Sequence, residues 1–154
     1  MANPPSGMKI TKDGITYQSA VDRTRYTIRE LSRAALRDVG RYVVRECRSA
    51  SLQRPHLGRL TVKSRFYSRE GAFSYWVRKK ETDLQVGIKH NTWYGVLQEL
   101  GDGGQPPRGI LRAAVQENIH QIRLIEGHYL SAIEDENRAL GLIDEEEMYP
   151  DGSE

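Results

Sequence analysis

The sequence predicts an α+β domain in which a small antiparallel sheet is packed by two long helices and one short helix. Three observations carry that expectation. Apolar residues recur at three- and four-residue steps over two long stretches, they alternate at period two over three short ones, and Gly- and Pro-containing punctuation separates these stretches. At 154 residues, with 38% apolar and 29% charged side chains, the chain can bury one hydrophobic core. Residues 1–8 read as a flexible N-terminal arm, 9–137 as a single α+β domain, and 138–154 as an acidic, partly mobile C-terminal tail.

Each element follows from local chemistry. Lys9-Ile10-Thr11 and Ile15-Thr16-Tyr17 flank Asp13-Gly14, the pattern of a β-hairpin. The first long helix is expected from Asp22 or Thr24 to about Ala50, with Asp22 as its N-cap. Its buried stripe reads Ile28, Leu31, Ala35, Val39 and Tyr42. Three strands follow, built on Leu60, Val62 and Phe66, on Phe73, Tyr75 and Val77, and on Leu84, Val86 and Ile88. Trp93 to Leu100 reads as a short buried helix stopped by Gly101. A second long helix is expected from Arg108 to about Ile133, with Leu111, Val115, Ile119, Ile122, Ile125 or Glu126, and Tyr129 as its stripe and Ala114, Asn118 and Leu130 beside it. Leu140, Leu142 and Ile143 are the tail residues able to dock.

Charge is divided along the chain. Residues 22–80 hold 16 Lys+Arg against 5 Asp+Glu, and residues 126–154 hold 1 against 10. Such a split points to charged partners or to head-to-tail self-association. Arg25, Arg29, Arg33, Arg37, Arg41 and Arg45 are spaced by four, so each advances about 40° around the helix and together they form a basic sleeve. Glu30 and Asp38 are placed to pair with Arg33 and Arg41.

Catalytic chemistry finds little purchase. Gly101-Asp102-Gly103-Gly104 lacks the Lys-Ser/Thr of a phosphate-binding loop, and no G-x-S-x-G element is present. Cys47 is the single cysteine and has no histidine in a recognisable arrangement, so it reads as a small filler. His56, His90, His120 and His128 show no ligand spacing, and neither a metal nor a cofactor is expected. No apolar run is long enough to cross a membrane. A nonspecific nucleic-acid-binding protein is the alternative reading. The sleeve together with Arg54, Arg59, Lys63, Arg65, Arg69, Arg78, Lys79 and Lys80 offers phosphate contacts, and Tyr67, Tyr75 and Trp76 offer stacking surfaces.

The most specific pattern lies between Val86 and Ala114. A strand ending Val86-Gly87-Ile88 precedes Trp93-Tyr94-Gly95-Val96-Leu97-Gln98-Glu99-Leu100-Gly101, a polar Gly/Pro loop, and Arg108-Gly109-Ile110-Leu111-Arg112-Ala113-Ala114. This segment resembles the tail-completion (head–tail joining, neck) proteins of long-tailed bacteriophages. Tyr94, Gly95, Glu99, Leu100 and Gly101 match the family's first motif, and Arg108, Leu111, Arg112 and Ala114 its second. Gly109 and Ile110 stand where Pro-Phe is usual, Ala113 replaces a second Pro, and Asp102 stands where Thr is common. The resemblance implies a structural virion protein assembled in the host cytoplasm, which forms a ring, expected to be a hexamer, at the joint. Its neighbours would be further copies of itself, a head-side connector or stopper protein and the tail tube protein, with DNA passing through the lumen. Arg29, Arg33, Arg37, Arg41, Glu99, Arg108 and Arg112 are then subunit-interface candidates, whereas Tyr94, Gly95, Leu100, Gly101, Leu111 and Ala114 are expected in the motif core. Charge reversal at Arg33, Arg37 and Arg41 should abolish the ring on this reading, and the acidic tail becomes a candidate partner for a neighbour's sleeve.

Overall fold

A computed structural model of the chain describes residues 5–53, 72–78, 82–89, 93–101, 104 and 106–148. The architecture is α+β, organised around one helix, α1 (Val21–Gln53). Before it comes a hairpin of β1 (Met8–Lys12) and β2 (Ile15–Ser19). Asp13 (φ 51°) and Gly14 (φ 77°) both adopt positive φ, which matches the twist of a two-residue hairpin turn. After α1 come β3 (Phe73–Val77) and β4 (Leu84–Ile88), an antiparallel pair that sets Phe73 opposite Ile88 and Tyr75 opposite Val86. Four helices complete the described chain: α2 (Trp93–Leu100), α3 (Ile110–Glu117), α4 (Ile119–Leu130) and α5 (Glu136–Met148), with a 3-10 turn over Ser131–Glu134. The strand candidate on Leu60, Val62 and Phe66 lies outside the described residues. So do Arg54, Arg59, Lys63, Arg65, Tyr67, Arg69, Lys79 and Lys80, and the side chain of Tyr94.

The core divides along α1. Towards its C-terminal end, Val39, Val43, Val44 and Cys47 pack against Phe73, Tyr75 and Val77 of β3 and against Ile110 and Ala114 of α3. Towards its N-terminal end, Leu31, Ala34 and Ala35 pack against Tyr129, Ala132, Ala139 and Ile143. The spacing of three and four residues puts all of these α1 side chains along one stripe. Ile28 and Tyr42 are the exceptions to the expected stripe. Ile28 is exposed, while Tyr42 lies at the edge of the core, where its hydroxyl donates to Asn118 Oδ1 at 2.8 Å. Asp22 sits inside the first turn of α1 rather than capping it, since the helix opens one residue earlier at Val21.

Gly40 marks the closest approach of helix and sheet. A Cβ there would lie 2.7 Å from Cγ of Tyr75 and 3.0 Å from Cδ1 of Leu84. A glycine inside a helix costs about 1 kcal/mol relative to alanine, so its presence reflects the aromatic ring laid across the backbone. Gly40→Ala is expected to destabilise the fold by about 1–3 kcal/mol despite the gain in helix propensity. A lower urea midpoint for the variant at unchanged m-value would show it; an unchanged or higher midpoint would mean that the ring can move aside.

The second long helix is broken at Asn118, whose backbone leaves the helical range (φ −110°, ψ 15°). The break has a local cause. Asn118 Nδ2 donates to the Ala114 carbonyl at 2.9 Å, the acceptor its own amide would use in a continuous helix. Tyr42 holds the other side of the amide group. The break rotates α4 relative to α3, so Val115, Ile119 and Leu130 of the expected neighbourhood face outward, while Ile110, Ala114 and Tyr129 are buried. The expected tail boundary at residue 138 also moves. Ala139 and Ile143 of α5 are core residues against α1, Leu140 and Leu142 are half-buried beside them, and the helix continues to Met148.

Candidate assembly site

The motif region is built on Glu99. At the end of α2, Gly101 adopts φ 82°, the left-handed conformation that stops a helix and that glycine reaches without strain. The chain then returns so that the start of α3 lies over Glu99. Glu99 Oε2 accepts from Ile110 N and Oε1 from Leu111 N, both at 2.8 Å, and the Glu99 carbonyl accepts from Gly109 N at 3.2 Å. Three consecutive amides at the opening of α3 are therefore held by one residue. Gly109 occupies the cap position at φ 57° and supplies no side chain of its own, so the cap comes from ten residues earlier. The negative charge also complements the helix dipole. The resemblance makes Glu99 a subunit-interface candidate together with Arg108 and Arg112. Its two carboxylate oxygens serve the backbone of α3.

This clamp sets the orientation of α2. With Gly95 buried and Glu99 turned toward α3, Val96, Leu97 and Leu100 face outward. Leu100, expected in the core, is 73% exposed. Leu111 is half-buried against the core, and its neighbour Ile110 takes the fully buried position. Ala114 is buried as expected. Arg112 is exposed on the same corner and Arg108 half-buried. Cys47 of α1 lies under the corner with no exposed surface, and burial, then the charges of Glu99 and Glu46, push its thiol up to about 12. A thiol held neutral in this way is packing, not a nucleophile.

The arginine sleeve is only partly a free basic surface. Arg33 Nη1 donates to both carboxylate oxygens of Glu30 at 2.8 Å, and its side chain is only 13% exposed. Arg41 Nη2 donates to Asp38 Oδ1 at 2.8 Å, and Asp38 Oδ2 accepts from the buried Tyr129 hydroxyl at 2.9 Å. That hydrogen bond follows burial as a cause of the raised Tyr129 pKa. Arg25, Arg29 and Arg45 are exposed and Arg37 is half-buried. The start of the acidic C-terminal segment docks on its own subunit, where α5 packs along α1 and Arg23 pairs with Glu136. Charge reversal at Arg33 or Arg41 would break pairs inside one helix, so loss of assembly in such variants would not by itself locate an interface.

The stacking candidates separate similarly. Tyr75 is buried over Gly40 and cannot meet a base, whereas Trp76 on the opposite face of β3 is exposed. Arg78 pairs with Asp83 at 3.7 Å just beyond Val77 and Leu84, at the connected end of the β3–β4 pair. Among the described residues, no group of three or more His, Cys, Asp or Glu is placed to hold a metal ion, and no helix is long and apolar enough to cross a membrane.

No protein-family model matches this chain, and no characterised protein or solved structure is significantly similar to it.

Sequence reasoning missed two features of the site. The cap of α3 by Glu99 spans a loop and has no spacing rule, although the glycines at 101 and 109 are its visible trace. The exposed apolar side of the N-terminal hairpin was also unrecognised, and its signal is the alternation Met8-Lys9-Ile10-Thr11.

Proposed function

We propose that this chain is a structural assembly protein, a ring-forming subunit of the head–tail joint of a long-tailed bacteriophage. In that role it connects the neck to the tail tube and leaves a channel for DNA. The observation that supports the reading best is the Glu99 clamp. The residues that resemble the neck-protein motif form an α2–α3 corner tied by hydrogen bonds, with exposed apolar side chains on α2 (Val96, Leu97, Leu100) and an exposed Arg112 on α3. An apolar patch edged by arginine is the composition of a protein–protein contact rather than of a substrate site.

The ring, expected to be a hexamer, would contact a head-side connector or stopper protein on one side and the tail tube protein on the other. Three of the sleeve arginines, Arg33, Arg41 and Arg45, have a carboxylate partner on their own helix. That arrangement favours a channel that lets DNA pass over a surface that retains it, since retention grows with each unpaired phosphate contact. Negative-stain electron microscopy of the purified protein tests the proposal. Closed rings with an axial opening are expected. A uniformly monomeric protein that binds duplex DNA at micromolar or tighter affinity, with steep salt dependence, would replace it with the nucleic-acid-binding reading.

A further inference from the structure

The N-terminal hairpin has two unlike faces. The register pairs Met8 with Ser19, Ile10 with Tyr17 and Lys12 with Ile15, and side chains of directly paired residues share a face. One face therefore carries Met8, Ile10, Ile15 and Tyr17 together with Lys12 and Ser19. The other carries Lys9, Thr11, Thr16 and Gln18, with the Thr11 and Thr16 hydroxyls 3.2 Å apart. The apolar face is open to solvent: its four large side chains are 54–63% exposed. An isolated two-stranded hairpin is marginal in water, and amphipathic alternation without burial implies a cover.

A matching surface exists elsewhere on the same chain. Between α1 and α4 runs an apolar groove of about 320 Å³, lined by Leu31, Leu36, Tyr129, Leu130 and Ile133 among others. Among the described residues, Glu126 is the single charged residue of its lining, and it has no ion-pair partner there. A smaller depression continues it, through Leu31 and Ile133, toward the start of α1. Lys12, on the apolar face of the hairpin, supplies the complementary charge.

A one-residue connection ties the hairpin to α1, the helix that forms one wall of the groove. Only Ala20 separates β2 from α1, and its carbonyl accepts from both Thr24 N at 2.9 Å and Thr24 Oγ1 at 3.0 Å. These bonds belong to the first turn of α1, so only a single linking residue is available for the strand to turn back over the helix.

We infer that the hairpin of one copy seats its apolar face in the α1–α4 groove of a second copy, with Lys12 against Glu126. The inference rests on the self-assembly reading above and names the contact through which it occurs. Hairpin and groove are different surfaces, so the contact is heterologous and repeats from copy to copy. It closes into a ring when the rotation per subunit allows.

Cysteine crosslinking of the full chain tests this. Ile10→Cys and Leu130→Cys variants, both at exposed positions, are mixed and mildly oxidised; a covalent dimer requiring both variants is expected. The double variant should give a ladder of covalent multimers. Charge reversal Lys12→Glu should raise the concentration for half-assembly, and adding Glu126→Lys should restore it. An internally bridged monomer of the double variant would place the hairpin in its own groove and overturn the inference. Absence of any crosslink in a protein that still assembles would also overturn it, leaving the ring reading intact. A wild-type chain that never assembles would sink both.

Discussion

Replacing Glu99 by alanine should cost about 2–4 kcal/mol, a large share of the stability of a domain of this size. The loss has two parts. A helix-capping acceptor contributes about 1 kcal/mol, and the amides of Ile110 and Leu111 would then lie part-buried without their charged acceptor. Glu99→Gln keeps one acceptor oxygen and should lose about half as much. Glu99→Asp, one methylene shorter, should resemble alanine more than glutamine. Urea unfolding gives the magnitude, and hydrogen exchange at the Ile110 and Leu111 amides gives the location, since their protection should fall first. An alanine variant within about 0.5 kcal/mol of the parent would mean that the clamp contributes nothing beyond what water replaces.

The second large effect appears at high pH. Cys47 has an ordinary pKa of 9.0 that the fold raises to about 12, through burial and then the nearby carboxylates of Glu99 and Glu46. Its stabilising contribution is fully present below pH 9. Between the two values the unfolded chain releases the thiol proton while the folded one keeps it. Stability should therefore fall by about 1.4 kcal/mol per pH unit, reaching a loss on the order of 4 kcal/mol by pH 12. Tyr129, whose pKa is also raised by burial and by its bond to Asp38, adds a loss in the same direction once the pH passes its ordinary value of 10.0. Cys47→Ala lacks the thiol and should show a shallower decline from pH 9 upward, although it starts from a lower stability because of the cavity left behind. Urea midpoints measured at several pH values for both proteins check this. Parallel declines would show that the thiol titrates normally.

Both effects converge on one place, because Glu99 caps α3 and also bears on Cys47 of α1. The periodic parts of this region were legible in the sequence. The alternation in Phe73-Ser74-Tyr75-Trp76-Val77 marks β3, the three- and four-residue spacing from Leu31 to Val43 marks α1, and Gly101 marks the end of α2. Glu30–Arg33 and Asp38–Arg41 follow from helix spacing alone. What was not legible depends on contacts between distant segments. The break at Asn118 needs Tyr42 from α1, the outward turn of Leu100 needs Glu99 to be committed to α3, and the docking of α5 needs the small residues Ala34 and Ala139 to meet. A Leu on a short apolar helix reads as core whichever way the helix is rotated, and only its packing partner fixes the rotation. A charge tally along the chain also does not show which charges meet: Arg23 and Glu136, far apart in sequence, pair within one subunit.

The proposed role has a physical minimum, which is that copies of this chain associate in a closed, defined number. Sedimentation of the full-length protein over a wide concentration range measures this most directly. A single species of several subunits, whose mass stops growing as concentration rises, is the result expected of a ring. A mass that stays at 17.6 kDa throughout would contradict the account.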